Sequence, residues 1–195
     1  MTQETIPNTE DKKITCEHFT PVPLCLQETP YTCGVACVQS ILACYGIVYR
    51  QDALADILKS KPYYGTDVQS IIQFMNMLNF QASYVINMNI DNIKDYIDHC
   101  VTTILMIQSW KEDDIDYSAI WRDSHYVIAC GYEEDRIIFM DPITLGNYTY
   151  IHNDELMKRW HTLNQENLHN YYSGIIITNE KLPFVYKPYV IKHQD

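Results

Sequence analysis

"CLQETPYTCGVACVQSILACYGI", residues 25–47, decides the fold. It runs from a turn into a helix, and a thiol, Cys33, stands at the junction. Thr29-Pro30-Tyr31-Thr32 approaches as a turn, because proline is disfavoured inside a helix and biases Thr29 toward extended geometry. From Gly34 to Tyr45, the side chains Ala36, Cys37, Ser40, Ile41 and Cys44 recur at spacings of three and four. That face of mostly small side chains lets the helix sit deep and central, and Gly46 is placed to cap its end.

A thiol at a helix N-terminus has a chemical reading beside the ordinary one of packing. Unpaired backbone N–H groups and the macrodipole favour negative charge there, so Cys33 ionises more easily than a free thiol of about 8.5. The same N–H groups can receive the oxyanion formed when sulfur attacks a carbonyl. Gly34 is expected to keep the approach to the sulfur clear of a side chain.

The remainder of the chain sets the context. With 195 residues and 47% hydrophobic content, one domain with a sizeable core is the default. A formal charge of −11, from 25 acidic against 14 basic side chains, argues against nucleic acid and anionic lipid as partners. A basic peptide segment fits that charge better. The sequence carries no apolar run of membrane-spanning length and no basic-then-apolar N-terminal pattern, so a cytosolic protein is expected. Seven cysteines, at 16, 25, 33, 37, 44, 100 and 130, leave at least one unpaired and form no Cys-x-x-Cys pair, so reduced thiols and no metal or other cofactor are expected.

Hydrophobic periodicity gives the order of elements. Residues 1–20 read as a mobile arm. Residues 51–59 form a second helix, and Thr66-Asp67-Val68-Gln69 reads as a capping box opening a third through about Leu78. Strands are expected at 80–86, 101–109, 125–131, 136–141, 147–151 and 171–178, with helices at 91–99 and 154–163. Helices first and a mostly antiparallel sheet after is an α+β fold with two packed lobes.

A nucleophilic cysteine needs a base, and seven histidines compete for the role. His18 and His193 lie near the termini and are expected to be solvated. His152, His161 and His169 fall in or beside a polar helix, where exposure is expected, and His99 ends a helix, where a capping role suffices. That leaves His125, which opens the strand HYVIACGY. If Gly131 faces Asp135 across the turn, antiparallel register sets His125 opposite Asp141, close enough for a carboxylate to hold an imidazole. A bulge would break that register. Asp141-Pro142 also suits an ordinary turn, and Asp123 is a weaker rival for the carboxylate. Gln27 completes the set: a neutral amide with two N–H donors suits oxyanion stabilisation, although an exposed, idle glutamine is the ordinary reading.

Gln27, Cys33-Gly34, the helix to Tyr45-Gly46, then His125-Tyr126-Val127 and Asp141-Pro142 resemble the papain-like double-glycine leader peptidases of bacteriocin exporters and their free-standing relatives. The resemblance covers residues 21–145 and extends to a catalytic domain at 21–180, with a tail at 181–195. It implies a papain-like fold with Cys33 as nucleophile, His125 as general base and acid, Asp141 as the residue orienting the imidazole, and Gln27 as oxyanion donor. It also implies a peptide or protein substrate with small residues such as Gly-Gly before the scissile bond.

Two departures stand beside the resemblance. The membrane spans and ATPase of exporter relatives are not seen in this sequence, and Trp121-Arg122-Asp123-Ser124 replaces the small residues common before the histidine. The acidic stretch 111–123 reads as a solvated loop or as a face for a basic substrate. Hydrolysis through a thioester is the leading expectation. An acyltransferase using the same site and a non-catalytic binding module on the same scaffold are the alternatives. The charge and size also suit an effector delivered into another cell.

Overall fold

The computed structural model describes residues 18–109, 116–121, 124–163 and 168–187. Helix α1, Cys33–Cys44, begins at the thiol itself, and Gly46 takes the left-handed turn after it at φ +75°. Its apolar residues are buried on nearly every side, which places the helix in the interior rather than at a surface. Helices α2, Gln51–Ile57, and α3, Val68–Met77, flank it. The cap of α3 falls one residue later than the sequence pattern places it. Asp67 accepts from Ser70 N at 3.1 Å, while Thr66 Oγ1 lies 3.0 Å from Ser60 Oγ, so the Thr66–Gln69 box does not form.

The strands are β1 (His18–Phe19), β2 (Gln81–Val85), β3 (Thr102–Gln108), β4 (Ser124–Tyr132), β5 (Arg136–Met140), β6 (Thr149–His152), β7 (His161–Leu163), β8 (His169–Tyr171) and β9 (Gly174–Thr178). Helices α4, Ile90–Asp98, and α5, Asn153–Arg159, lie between them. The main sheet runs β2-β9-β3-β4-β5-β6, with β1 alongside β4, and its pairings are antiparallel. The α+β architecture follows the expectation: α1, α2 and α3 precede every strand but the two-residue β1.

The sheet buries both faces. Ile104, Ile128, Ile138, Met140 and Ile175 pack with Val35, Val38 and Ile41 of α1. Leu105, Ile107, Val127, Phe139 and Ile151 pack on the opposite side with Ile93, Leu156 and Trp160. Strand β3 is buried along its whole length, which is why its sequence, TTILMIQ, shows almost no polar alternation.

Three segments differ from the sequence reading. The helix expected to reach residue 163 stops at Arg159, because Trp160 is buried with its indole N–H donating to Ser173 O at 2.9 Å. The next three residues then pair as β7 with β8, so His161 is buried rather than exposed. At the N-terminus, His18 and Phe19 pair with Tyr132 and Gly131 instead of belonging to a loose arm. His18 also meets Asp98 at 2.8 Å and stacks on Tyr132. Residues 1–17 lie outside the described residues, as do 188–195 with His193. The preceding part of the tail docks: Val185 and Tyr186 donate to Cys44 O at 2.7 and 3.2 Å, which satisfies a carbonyl at the end of α1.

Candidate active site

Cys33 is the first residue of α1 and is 8% exposed. Thr32 precedes it, yet its side chain does not cap the helix. The Thr32 hydroxyl is turned back into the approach, donating to Thr29 O at 3.1 Å and accepting from Thr29 N at 3.0 Å. Thr32 therefore does not compete for the first-turn N–H groups, and the backbone N–H groups of Gly34 and of Tyr126 on β4 favour the thiolate.

Gly34 has a different reason from the one the sequence offered. A Cβ there would lie 3.0 Å from Thr66 Cβ and 3.1 Å from Tyr126 Cδ2, so the space beside it is filled by protein rather than kept open. Glycine lets the first turn of α1 press against both residues. Tyr126 in turn donates its hydroxyl to Thr66 O at 2.9 Å, joining the sheet to the start of α3.

His125 and Asp141 meet, but not by the register the hairpin first implies. Ile128 faces Met140 and Ala129 faces Phe139; beyond a bulge, Gly131 faces Ile138 and Tyr132 faces Ile137. His125 itself faces Ile107 on β3. Carried one step past Met140, the register sets Asp141 beside Val127, so His125 is its diagonal neighbour on the same face. The side chains close that gap: His125 Nε2 lies 2.8 Å from Asp141 Oδ1. The same oxygen accepts from Ile143 N at 3.0 Å, which fixes the carboxylate at the strand end.

With Nε2 held by Asp141, Nδ1 is the ring nitrogen left to serve the thiol, and Cys33 and His125 act on one another's ionisation. The electrostatics follow. Burial pushes the Cys33 thiol up, but the hydrogen bond and charge of His125 and the N–H groups of Tyr126 and Gly34 outweigh it, leaving the thiol below its ordinary value. Burial pulls His125 down, yet Asp141 and Cys33 raise it to about 9. Burial raises Asp141, and His125, with the Ile143 N–H and the charge of Arg159, more than reverses that. Cys25 and Cys37 have no such partner, and burial drives Cys25 up to about 11 and Cys37 well above its ordinary value. One thiol of the α1 region is thus set apart.

Gln27 sits beside this line of groups without being joined to it. Its backbone N–H donates to Pro142 O at 2.8 Å, which ties it to the strand end carrying Asp141. Its side-chain Nε2 donates to Thr29 O at 2.8 Å, and Oε1 is buried with no hydrogen-bond partner among the described residues. An amide nitrogen carries two hydrogens, so one N–H remains beyond the bond that orients it.

Sequence reasoning passed over Gln51, the buried first residue of α2. Its Oε1 accepts from Glu28 N at 2.6 Å and Thr32 Oγ1 at 3.3 Å, and its Nε2 donates to Leu26 O at 2.8 Å and Gln39 Oε1 at 2.9 Å. One amide clamps the backbone on both sides of Gln27 and the residue before Cys33. A lone glutamine at a helix start carries no sequence signal for such a role.

Asp123, the rival carboxylate, lies outside the described residues, as does most of the acidic stretch 111–123. Trp121 stacks on His169 with centroids 3.9 Å apart. His99 ends α4 with Nδ1 2.8 Å from Asp95 O, a capping contact. Among the described residues no cluster of three or more His, Cys, Asp and Glu is placed to hold a metal ion, and no helix is long and apolar enough to cross a membrane.

The fold is shared with solved peptidase domains. The peptidase domain of Streptococcus ComA, a bifunctional ABC transporter of a quorum-sensing pathway, matches at a TM-score of 0.61 and 20% identity, over 80% of this chain and 98% of that one. A C39-like peptidase from Bacillus anthracis matches at 0.61 and 14%, over 82% and 95%. A double-glycine motif protease from an AMS/PCAT transporter, solved with its leader peptide, matches at 0.58 and 12%, over 82% and 92%. These likenesses establish the papain-like fold. No curated protein matches the sequence. The Peptidase_C39 like family matches residues 19–168, most of the described structure, and this chain belongs to that family.

Proposed function

We propose that this chain is a cysteine peptidase that cuts a peptide or amide bond through a thioester on Cys33, after small residues of the Gly-Gly type. The observation that carries the reading is the 2.8 Å hydrogen bond between Asp141 and His125, with His125 in turn depressing the thiol at the start of α1. The Cys33 thiolate attacks the carbonyl carbon, and the oxyanion forms against the N–H of Cys33 and the second N–H of Gln27 Nε2. As the C–N bond breaks, the His125 imidazolium gives its proton to the departing amine. Water then attacks the thioester while His125 takes its proton. The tetrahedral intermediate expels the thiolate, the acid product leaves, and His125 is again the imidazolium partner of Cys33.

The family and the fold support peptide chemistry, and the leader peptide bound to the related double-glycine protease supports small residues before the cut. The test is release of a fluorophore from a Gly-Gly peptide by the wild-type protein beside Cys33→Ala, with products resolved by mass. Cleavage by wild type alone, at the Gly-Gly bond, is expected; equal rates for the two proteins remove the reading. Adding a primary amine shows whether water is the acceptor.

A further inference from the structure

A cavity of about 180 Å³ lies against His125 and Asp141. Cys33 is not among its walls. Ile107, Val127, Phe139 and Ile151 make it largely apolar, and Arg159 brings a cation into it. Arg159 is 12% exposed and firmly placed: Nε donates to Gln108 O at 2.8 Å, Nη1 to Glu155 Oε1 at 3.0 Å, and the guanidinium lies 4.7 Å from the Tyr117 ring centre. Its Nη2 makes no hydrogen bond with the described residues. The cavity is therefore a recess with an apolar floor, a partly polar rim that includes Ser109, Thr149 and Tyr150, and one guanidinium edge to spare.

Its position gives it a meaning that rests on the peptidase reading above. The departing amine takes its proton from His125, so the chain beyond the scissile bond must lie on the imidazole side of the sulfur. We propose that this cavity seats the first one or two residues after the scissile bond and selects a carboxylate there, which the open Nη2 edge of Arg159 receives. The carboxylate is either an acidic side chain or the C-terminus of a short leaving segment, and both present the same two oxygens to a guanidinium. Asp141 also lines the space and feels the charge of Arg159, but its Oδ1 is held by His125 and Ile143 N, and no hydrogen bond joins it to the guanidinium among the described residues. Its charge favours the ammonium that the leaving segment carries once the bond is cut.

The experiment uses the full chain with Cys33→Ala, so that binding is read without turnover. Affinities are measured by NMR titration for Glu-Ala amide against Gln-Ala amide, and for Ala-Ala acid against Ala-Ala amide. The carboxylate member of at least one pair is expected to bind about tenfold tighter, as a charge-assisted hydrogen bond allows. The pair that shows the difference identifies the source of the carboxylate. The preference should vanish in a Cys33→Ala, Arg159→Gln double variant, and the bound peptide should show NOEs to the methyl groups of Ile107 and Val127. Equal affinities within both pairs, or NOEs to other residues only, overturn the proposal even where the double variant does not fold. Wild-type cleavage of Gly-Gly-Glu against Gly-Gly-Gln peptides is read separately: no cleavage beside a retained binding preference removes the peptidase reading and leaves the recess standing.

Discussion

Replacing Asp141 with asparagine tests whether its charge, rather than its shape, governs the thiol. The isostere keeps an oxygen for Ile143 N, so the side chain stays oriented with an acceptor toward His125 Nε2. What it loses is charge. A charge-assisted hydrogen bond contributes about 1.5–3 kcal/mol and a neutral one roughly half of that, so the imidazolium loses about 0.8–1.5 kcal/mol of support. One pH unit corresponds to about 1.4 kcal/mol, so His125 should titrate about one unit below its present value of about 9. A weaker imidazolium holds the thiolate less well, and Cys33 rises toward its ordinary value. The assay is iodoacetamide labelling of Cys33 across pH 5–9, followed by peptide-resolved mass spectrometry, with His125 titrated by NMR. Below neutral pH, labelling in Asp141→Asn is expected to fall about tenfold. Superimposable pH profiles for the two proteins would show that the carboxylate exerts no electrostatic control, and the reasoning would be refuted.

The other predictions draw on the same geometry. Gly34→Ala sets a methyl against Thr66 Cβ and Tyr126 Cδ2, so urea unfolding should show a loss of about 1–3 kcal/mol, with slower Cys33 labelling. No loss would mean that the first turn of α1 is not closely packed. Gln51→Leu leaves Glu28 N and Leu26 O without their partner; we expect about 2–4 kcal/mol of lost stability and a fall in kcat larger than any rise in KM, whereas a proportionate change in both would remove the clamp role. By the proposed mechanism, turnover requires thiolate and imidazolium together. It should therefore rise through the depressed Cys33 value, hold, and fall as pH passes about 9, where His125 gives up its proton; a profile still rising at pH 10 contradicts the ion pair. Above both the ordinary imidazole value of 6.5 and the depressed Cys33 value, and up to about 9, folded His125 keeps a proton that the unfolded chain releases, while folded Cys33 has lost one that the unfolded chain keeps. The two slopes have opposite signs, so the pair should leave the urea midpoint flat over that window.

Much of this was legible in the chain because it is local. Thr29-Pro30 stops a helix from starting early, the small-residue spacing buries the one that follows, and a thiol at its first residue meets backbone N–H groups whatever the rest of the fold does. His125 stood out by elimination, since the other histidines fell in termini, polar helices or caps. That elimination was right for His99 and wrong in its account of His161, which is buried because a β7–β8 pairing, invisible to periodicity, ended α5 early. The partnership of His125 with Asp141, implied by the resemblance, does not come from direct cross-strand pairing. The bulge between Ala129 and Gly131 and the pairing of Ile128 with Met140 displace the register, and reach across the diagonal supplies the contact instead.

The sequence by itself determined a buried helix opened by a thiol, an α+β order of elements and a short set of residues able to do acyl chemistry. Those follow from period, turn chemistry and the helix terminus, which act over a few residues. Only the tertiary structure decided which groups meet. It joined His125 to residues 33 and 141, fixed Gln27 through Thr29 and the Gln51 clamp, filled the space beside Gly34, and opened an arginine-edged recess beside the imidazole. Distances between side chains remote in sequence depend on register, bulges and packing of the whole sheet, and no window of a few residues holds that information.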